Sequence, residues 1–412
     1  MSRTMLGFGF GPIQAGLFFY EAWRTGRFGR FVVADVVPEL VDSLNRAGGA
    51  YRINIATAGG IEHCEVRGVQ AFNSRTPAGR EALAEAAAGA DEIVTALPSV
   101  SFYGAGEPGS VVDILSEGLR RRLRAPGRKR AVIYTAENNN RAAEILEAAL
   151  RKNMGADADP ALELCQCLNT VIGKMSGVVT DAAQAAGQRL ESMTPGCGRC
   201  FLVEEFNRIL ITSIRWPDFE RGITVFEEKP DLLPFEEAKL FGHNATHALM
   251  GFLARRKGLR FMDQIRNDSG LFDFARRAFI EESGAALCRR HAGIDPLFTA
   301  AGYRAYAEDL LSRMMNPHLR DSVERVVRDP RRKLGWEDRL LGTIRVALGH
   351  GVRPDRYAAG AAAALEMLAG AERRPTDSLL SEIFEEARAP ERERAEVAAI
   401  IRENALKLAE FS

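Results

Sequence analysis

The sequence predicts an α/β protein, with a doubly wound parallel sheet in its first part and a mainly α-helical domain in its second. Three observations carry this reading. Short, continuous apolar runs alternate with helical patterns from Met5 to about position 150, as in repeated strand-helix units. A glycine turn, Gly9-Phe10-Gly11, separates the first apolar run from the first helical pattern. Beyond about Pro234 the strand signal fades and apolar spacing becomes helical. At 412 residues the chain exceeds one ordinary core, so two domains are expected, over 1–230 and 231–412.

The first run, Met5-Leu6-Gly7-Phe8, leads through Gly9-Phe10-Gly11-Pro12-Ile13-Gln14-Ala15-Gly16 into a helical stretch at Leu17, Phe18 and Phe19. Phe31-Val32-Val33-Ala34 is continuous and apolar, the pattern of a strand covered on both faces, and it ends at Asp35 before a helix carrying Leu40, Val41 and Leu44. That completes one βαβ unit. Glu92-Ile93-Val94-Thr95-Ala96 and Ala131-Val132-Ile133-Tyr134-Thr135 add strands, the second followed by Glu137-Asn138 and a helix over 142–150. Arg120-Arg121-Arg122-Leu123-Arg124 reads as an exposed helix end, favoured by the dipole of its last turn. The stretch 192–234 is the least regular and the expected connector, with 201–211 able to add a strand or helix. Helices are expected over 240–253, 272–287 and 303–314. The alanine-rich, charged stretches 358–368 and 382–408 suit solvent-facing helices that cover a core.

Composition excludes several classes of partner. Lys+Arg and Asp+Glu both number 55, so no net charge draws the chain to nucleic acid. No stretch approaches the ~20 consecutive apolar residues of a membrane helix, and the N-terminus runs into a strand pattern rather than an export signal. A cytoplasmic protein without a membrane partner, acting as a monomer or homodimer, is the expectation. The six cysteines are too few for a disulfide scaffold. Cys165 and Cys167 alternate as on one strand face and Cys197 and Cys200 flank a CxxC turn, so four thiolates could surround zinc. The plainer reading, small buried side chains, is preferred, and no metal site is expected.

Gly9 and Gly11 fit the first two glycines of a dinucleotide fingerprint: one permits the tight turn, the other lets a pyrophosphate approach the backbone at a helix N-terminus. Gln14 stands at the third position and is expected to weaken close helix-strand packing. Asp35, at the end of the next strand, suits hydrogen bonds from adenosine ribose hydroxyls and would repel an added phosphate, which favours NAD over NADP. Its alternative role is an N-cap on the following helix. The first domain is therefore expected to be Rossmann-type, with Gly9, Gly11, Pro12, Ile13, Asp35, Thr95 and Glu137 at the cofactor.

In the second half, Lys239-Leu240-Phe241-Gly242-His243-Asn244-Ala245-Thr246-His247 sets polar groups in an apolar helical stretch. At about 100° per residue, His243, His247 and Asn244 fall about 40°, 80° and 140° from Lys239, so all four can face one cleft. The plain alternative is a helix start with a snorkelling lysine and two structural histidines. The Lys-x4-Asn-x2-His pattern is similar to the signature of the polyol-specific long-chain dehydrogenases. The resemblance runs over nearly the whole chain, through Phe8-Gly9-Phe10-Gly11, Ala34-Asp35-Val36, Ala136-Glu137-Asn138, Glu281-Glu282-Ser283-Gly284-Ala285, Asn316-Pro317-His318-Leu319, Val323-Glu324-Arg325-Val326, Arg332-Lys333-Leu334 and Asp338-Arg339-Leu340. It is closest to the branch acting on mannitol 1-phosphate.

That resemblance implies a metal-independent reaction in which Lys239 is general base on the alcohol while hydride leaves the same carbon for NAD. It implies that Asn244 and Asn138 donate hydrogen bonds to the developing oxyanion and that His247 orients substrate or lysine. The chemistry agrees: burial must lower a lysine pKa for base catalysis, and carboxamides stabilise an alkoxide without opposing hydride transfer. The basic stretch from Arg328, with Lys333 and Arg339 inside family-like segments, suits a substrate phosphate. Where the family carries Asp-Arg after a mid-chain strand, this sequence has Gly173-Lys174, so Lys174 joins the substrate candidates and the exact polyol is open; His243 replaces an apolar residue. The expected ligand is a small-molecule polyol or polyol phosphate. The competing readings are a dehydrogenase for an unphosphorylated polyol or sugar acid, a catalytically silent NAD-binding protein, and zinc-assisted alcohol oxidation through the four cysteines.

Overall fold

The computed structural model describes residues 3–104, 107–127 and 129–411. The chain divides into two compact units, Met1–Leu233 and Pro234–Ser412. In the first unit the strands are β1 (Arg3–Phe8), β2 (Phe28–Asp35), β3 (Tyr51–Ala56), β4 (Ile61–Val66), β5 (Val69–Asn73), β6 (Glu92–Thr95), β7 (Ala131–Thr135), β8 (Cys165–Val171), β9 (Ser176–Val179), β10 (Cys200–Glu204), β11 (Leu210–Thr212) and β12 (Glu227–Lys229). Among the described residues, one sheet has the order β12-β11-β8-β7-β6-β1-β2-β5. From β5 to β8 all pairings are parallel, with the strand order reversing between β1 and β6, which is the Rossmann topology. β11 then adds antiparallel to β8.

Period-two alternation splits the strand side chains between two cores. Met5, Phe31, Val33, Val94 and Tyr134 enter one; Leu6, Phe8, Val32, Ile93 and Ile133 enter the other. The second core is closed by the helices Pro77–Gly89, Val111–Arg124 and Ala142–Met154, which contribute Leu83, Leu115 and Leu146. The first core is partly closed by a second sheet, β4-β3-β10-β9, through Tyr51, Ile53, Phe201 and Val203. That sheet was not expected from the sequence, apart from a possible strand or helix within 201–211. Its strand β4 is largely polar and partly exposed, and buried Asn54 on β3 ties it to the irregular stretch beyond by donating to the Glu191 and Phe201 carbonyls, both at 2.9 Å.

The structure corrects two local readings. Arg122 is not on an exposed helix end: its guanidinium is buried and donates to the Ala87, Ala90 and Lys129 carbonyls, closing the ends of two segments. Gln14 does not loosen the helix on the strand. It is fully buried, its amide packs where a Cβ of Gly7 would otherwise stand, and neither of its amide atoms has a hydrogen-bond partner among the described residues. Gly7 makes the room that a third fingerprint glycine would have supplied.

The second unit is helical. Its alanine-rich helix Asp355–Glu372, expected at the surface, is buried from Tyr357 through Leu365. Alanine carries little hydrophobic signal per residue, yet its small side chain lets neighbouring helices approach closely; here these are Ala245–Arg256 and Glu391–Ala405. At Gly360 a Cβ would run into Leu249 Cδ1. Gly360→Ala is therefore expected to lower stability by ~1–3 kcal/mol in urea unfolding, although helix propensity alone would favour alanine by ~1 kcal/mol. A stabilised variant would show that this helix pair is not close-packed. No helix among the described residues is long and apolar enough to cross a membrane.

Candidate active site

In the first unit the chain leaves β1 at Phe8 and turns at Gly9, whose φ of +83° suits glycine; a Cβ there would meet the Ala96 carbonyl oxygen at 2.8 Å. Gly9 N–H donates to the Ala34 carbonyl at 2.8 Å. Asp35 braces the same turn: Oδ2 accepts from Phe10 N–H at 2.7 Å and Oδ1 from Val37 N–H at 2.9 Å. It is not the cap of the next helix, Pro38–Arg46, whose N-cap is Val37. A cavity of about 650 Å³ opens at this point, lined by Gly9, Gly11, Pro12, Ile13 and Asp35 on one side and by Ala96 and Leu97 beyond β6 on the other. It lies at the carboxyl ends of the strands, where their order reverses, the place where open α/β sheets bind ligands. The Cβ position of Gly11 meets no atom within 4 Å, so the protein itself does not require glycine there.

Thr95 and Glu137 are not on that wall. Both are buried, and together they form its support: Glu137 Oε2 accepts from Thr95 Oγ1 at 2.9 Å and from the Tyr103 hydroxyl at 2.5 Å, while Oε1 accepts from Leu97 N–H at 2.9 Å. Burial pushes the Glu137 carboxyl up, and the hydrogen bonds from Tyr103, Leu97 and Thr95 partly counter it. Asn138 follows at an exposed position. Lys174 is buried, and its amine donates to the carbonyls of Glu204 and, at 2.8 Å, Phe206. The amine expected at a substrate instead fastens the end of β10. The four cysteines do not assemble either. Cys165 and Cys167 pack into one core and Cys197 against the other, and no group of three or more His, Cys, Asp or Glu among the described residues is placed to hold a metal ion.

In the second unit Lys239 and Asn244 lie on a π-helical stretch, Ala238–Asn244, that continues as the α-helix Ala245–Arg256 carrying His247. An α-helix was expected throughout. The i→i+5 pattern makes residues five apart successive neighbours on one face, so it rotates Asn244 toward Lys239 relative to the α-helical wheel; such bulges recur at functional sites. Packing holds the bulge in place: Gly242 faces the Tyr303 hydroxyl, and Gly342 faces the Phe241 ring, each without room for a Cβ. Thr343 Oγ1 donates to the Phe241 carbonyl at 3.2 Å.

The electrostatics here are cationic. Burial, helped by the Arg339 guanidinium and opposed by Glu236, pushes the half-buried Lys239 amine down to about 8. Burial and the neighbouring His247, Arg313, Lys239 and Arg339 hold His243 well below the usual histidine range, so it stays neutral. Lys333 is pushed down to about 8 by burial, Arg339 and Arg332, and its amine donates to the Arg328 carbonyl. Arg339 pairs with Asp338 at 2.8 Å. His247 faces Asp321 at 3.0 Å. Sequence reasoning missed Arg313 and Asp321; the signal available for Asp321 was its i, i+4 spacing to Arg325 between two family-like segments.

Comparison with known proteins places these features in context. Residues 231–407 match the family model described as the mannitol dehydrogenase C-terminal domain. The chain is 30% identical over 370 residues to a mannitol-1-phosphate 5-dehydrogenase of Brevibacillus brevis, covering 87% of this chain and 84% of that protein. It is 28% identical to the protein of the same description from Lactiplantibacillus plantarum, covering 82% and 80%. Among solved structures, a D-sorbitol dehydrogenase superposes with a TM-score of 0.70 at 17% identity, covering 89% of this chain and 81% of that one. The Pseudomonas fluorescens mannitol 2-dehydrogenase, solved with NAD and D-mannitol, superposes at 0.65 and 16% identity, covering 90% and 80%.

Proposed function

Because the chain belongs to the mannitol dehydrogenase family, we propose that it oxidises a sugar alcohol phosphate of the mannitol 1-phosphate type to the ketose phosphate, with NAD as hydride acceptor and Lys239 as general base. The observation that carries the reading is a lysine amine pushed down to about 8 by burial and by the Arg339 guanidinium. The groove at Gly9, Gly11, Pro12, Ile13 and Asp35 suits a dinucleotide: an open backbone for the pyrophosphate and a carboxylate for the ribose hydroxyls. NAD, when bound, supplies the acceptor for the hydride. Lys239 takes the hydroxyl proton as the carbinol carbon loses hydride, and Asn244 and Asn138 donate to the oxygen as its negative charge grows. Glu137 and Thr95 act on the cofactor only through the wall they support.

Phosphate rather than a bare polyol is favoured by Arg339 near Lys239, Arg313 near His243 and Lys333 near Arg339. The unphosphorylated-polyol and sugar-acid readings suit the altered Gly173-Lys174 pair, but the Lys174 amine is held by two carbonyls. The test is NADH formation with mannitol 1-phosphate, glucitol 6-phosphate, mannitol, sorbitol and sugar acids, with and without a chelator. Phosphorylated hexitols are expected to lead in kcat/KM by one to two orders of magnitude, as one charge-assisted hydrogen bond of ~1.5–3 kcal/mol provides. Equal or faster turnover of the unphosphorylated compounds would overturn the phosphate assignment, and loss of turnover on chelation would overturn the lysine mechanism.

The pH dependence has a defined sign. A base must be neutral to accept a proton, so kcat/KM for oxidation is expected to rise with pH and level off above about 8; ketose reduction needs the protonated amine and should fall over the same range. Arg339→Gln removes a charge that depresses the amine and should move the rise to higher pH. Rates for oxidation that stay flat from about pH 6 to 9 would exclude Lys239 as the titrating base.

A further inference from the structure

We propose that Asp321 is a positioning residue, which holds the His247 imidazole with its Nε2 proton turned away from substrate and its Nδ1 left as the nitrogen that meets a substrate hydroxyl. The proposal rests on the reading of Lys239, Asn244 and His247 as the reacting face. His247 Nε2 and Asp321 Oδ2 stand 3.0 Å apart. The contact is off the ideal hydrogen-bond direction, both atoms are buried, and neither has another hydrogen-bond partner among the described residues, so each depends on the other. A carboxylate only accepts, so the imidazole nitrogen facing it carries the proton.

The surroundings fix Asp321 more firmly than a solvated surface acid would need. Its other oxygen accepts from Arg325 Nε at 2.7 Å. Its carbonyl accepts from Met262 N–H at 2.9 Å, Ser322 bridges to Phe261, and Val323 N–H donates to the Arg260 carbonyl at 3.0 Å. Arg320, just before it, adopts φ +50°, the left-handed region that costs a non-glycine residue energy, and its guanidinium lies 4.0 Å from the centre of the Phe261 ring. Such an unfavourable backbone persists where its surroundings over-determine it, and here it presents one carboxylate to one histidine. Burial raises the Asp321 carboxyl, but His247 and Arg325 outweigh it and bring the group to about 2, so it is an anion throughout the working range.

The proposal separates from a merely structural ion pair in two measurements on the full-length protein. The first is 15N NMR of the imidazoles, with His247→Gln identifying the resonance. The parent should carry a proton on Nε2, and Asp321→Asn, whose amide can donate to that nitrogen, should shift the neutral proton to Nδ1. A parent whose neutral His247 is the Nδ1–H form, or an Asp321→Asn variant with an unchanged tautomer, would overturn the proposal. The second is a double-variant cycle. Asp321→Asn should lower kcat for polyol phosphate oxidation by ~10²-fold with NAD affinity unchanged, the scale of a small misplacement at a reacting centre. In a His247→Gln background it should have no further effect, because Asp321 acts through His247; losses that multiply would overturn the proposal. Asp321→Glu should recover part of the rate and covers the case in which the asparagine variant does not fold. If the parent oxidises no polyol, the proposed function fails while the tautomer measurement still decides this point.

Discussion

Lys239→Met is expected to cut polyol oxidation by at least ~10³-fold while leaving NAD affinity unchanged, as removal of a general base from an otherwise intact site would do. Methionine keeps the unbranched stem of the side chain and removes only its amine end, so the loss reports chemistry rather than packing. The same substitution should raise stability near neutral pH. The amine has a folded-state pKa of about 8, below its ordinary 10.5, so between those values the unfolded chain binds more protons and the parent gains stability as pH rises. Below about 8 the parent carries the full penalty of a desolvated charge, which methionine lacks. The stability advantage of Lys239→Met should therefore be full below about pH 8 and vanish near the ordinary lysine range, read from urea midpoints across pH. Retained turnover at neutral pH would remove Lys239 from the mechanism, and a variant less stable than the parent would show that the amine is not desolvated.

The parts of the fold legible in the sequence were those whose cause is local. β2 and β7 are buried on both faces, so their runs of apolar residues stand out without any knowledge of their neighbours. The turn at Gly9 is legible because a positive φ selects glycine wherever the partner strand lies. What was not legible depends on residues far along the chain. β3 and β4 pair with each other, but the sheet they start is completed only by β10, well over a hundred residues later, and β4 carries Glu62, His63 and Glu65 in place of an apolar run. Lys174 looked available because its captors are carbonyls of Glu204 and Phe206, which sequence does not display. Arg122 and the helix Asp355–Glu372 misled for a related reason: charge and alanine read as surface unless the chain brings carbonyls to the one or close-packed helices to the other. The π-helical turn under Lys239 was not legible because it spans only Ala238–Asn244, too short a stretch for apolar spacing to separate i→i+5 from i→i+4 bonding.

Gly11→Val is expected to weaken NAD binding by at least ~10²-fold, about 2.7 kcal/mol, while leaving the thermal midpoint within ~2 °C of the parent. A glycine is needed where the backbone turns left-handed, where a neighbour crowds its Cβ, or where something outside the chain must come close. Gly11 has no positive φ and its Cβ position is open to 4 Å, so the first two reasons fail and the third remains. It sits in the wall of the 650 Å³ groove, at the start of a helical segment, the kind of helix end that receives an anion, and Ala15 N–H already donates to its carbonyl at 2.9 Å. Branched atoms on Gly11 would occupy the path of the pyrophosphate and nothing else. Gly9→Val supplies the contrast, because its φ of +83° and the Ala96 carbonyl at 2.8 Å make it a folding residue first; its midpoint should fall together with its NAD affinity. A Gly11→Val protein that binds NAD as the parent does would place the pyrophosphate elsewhere and detach the groove from the cofactor.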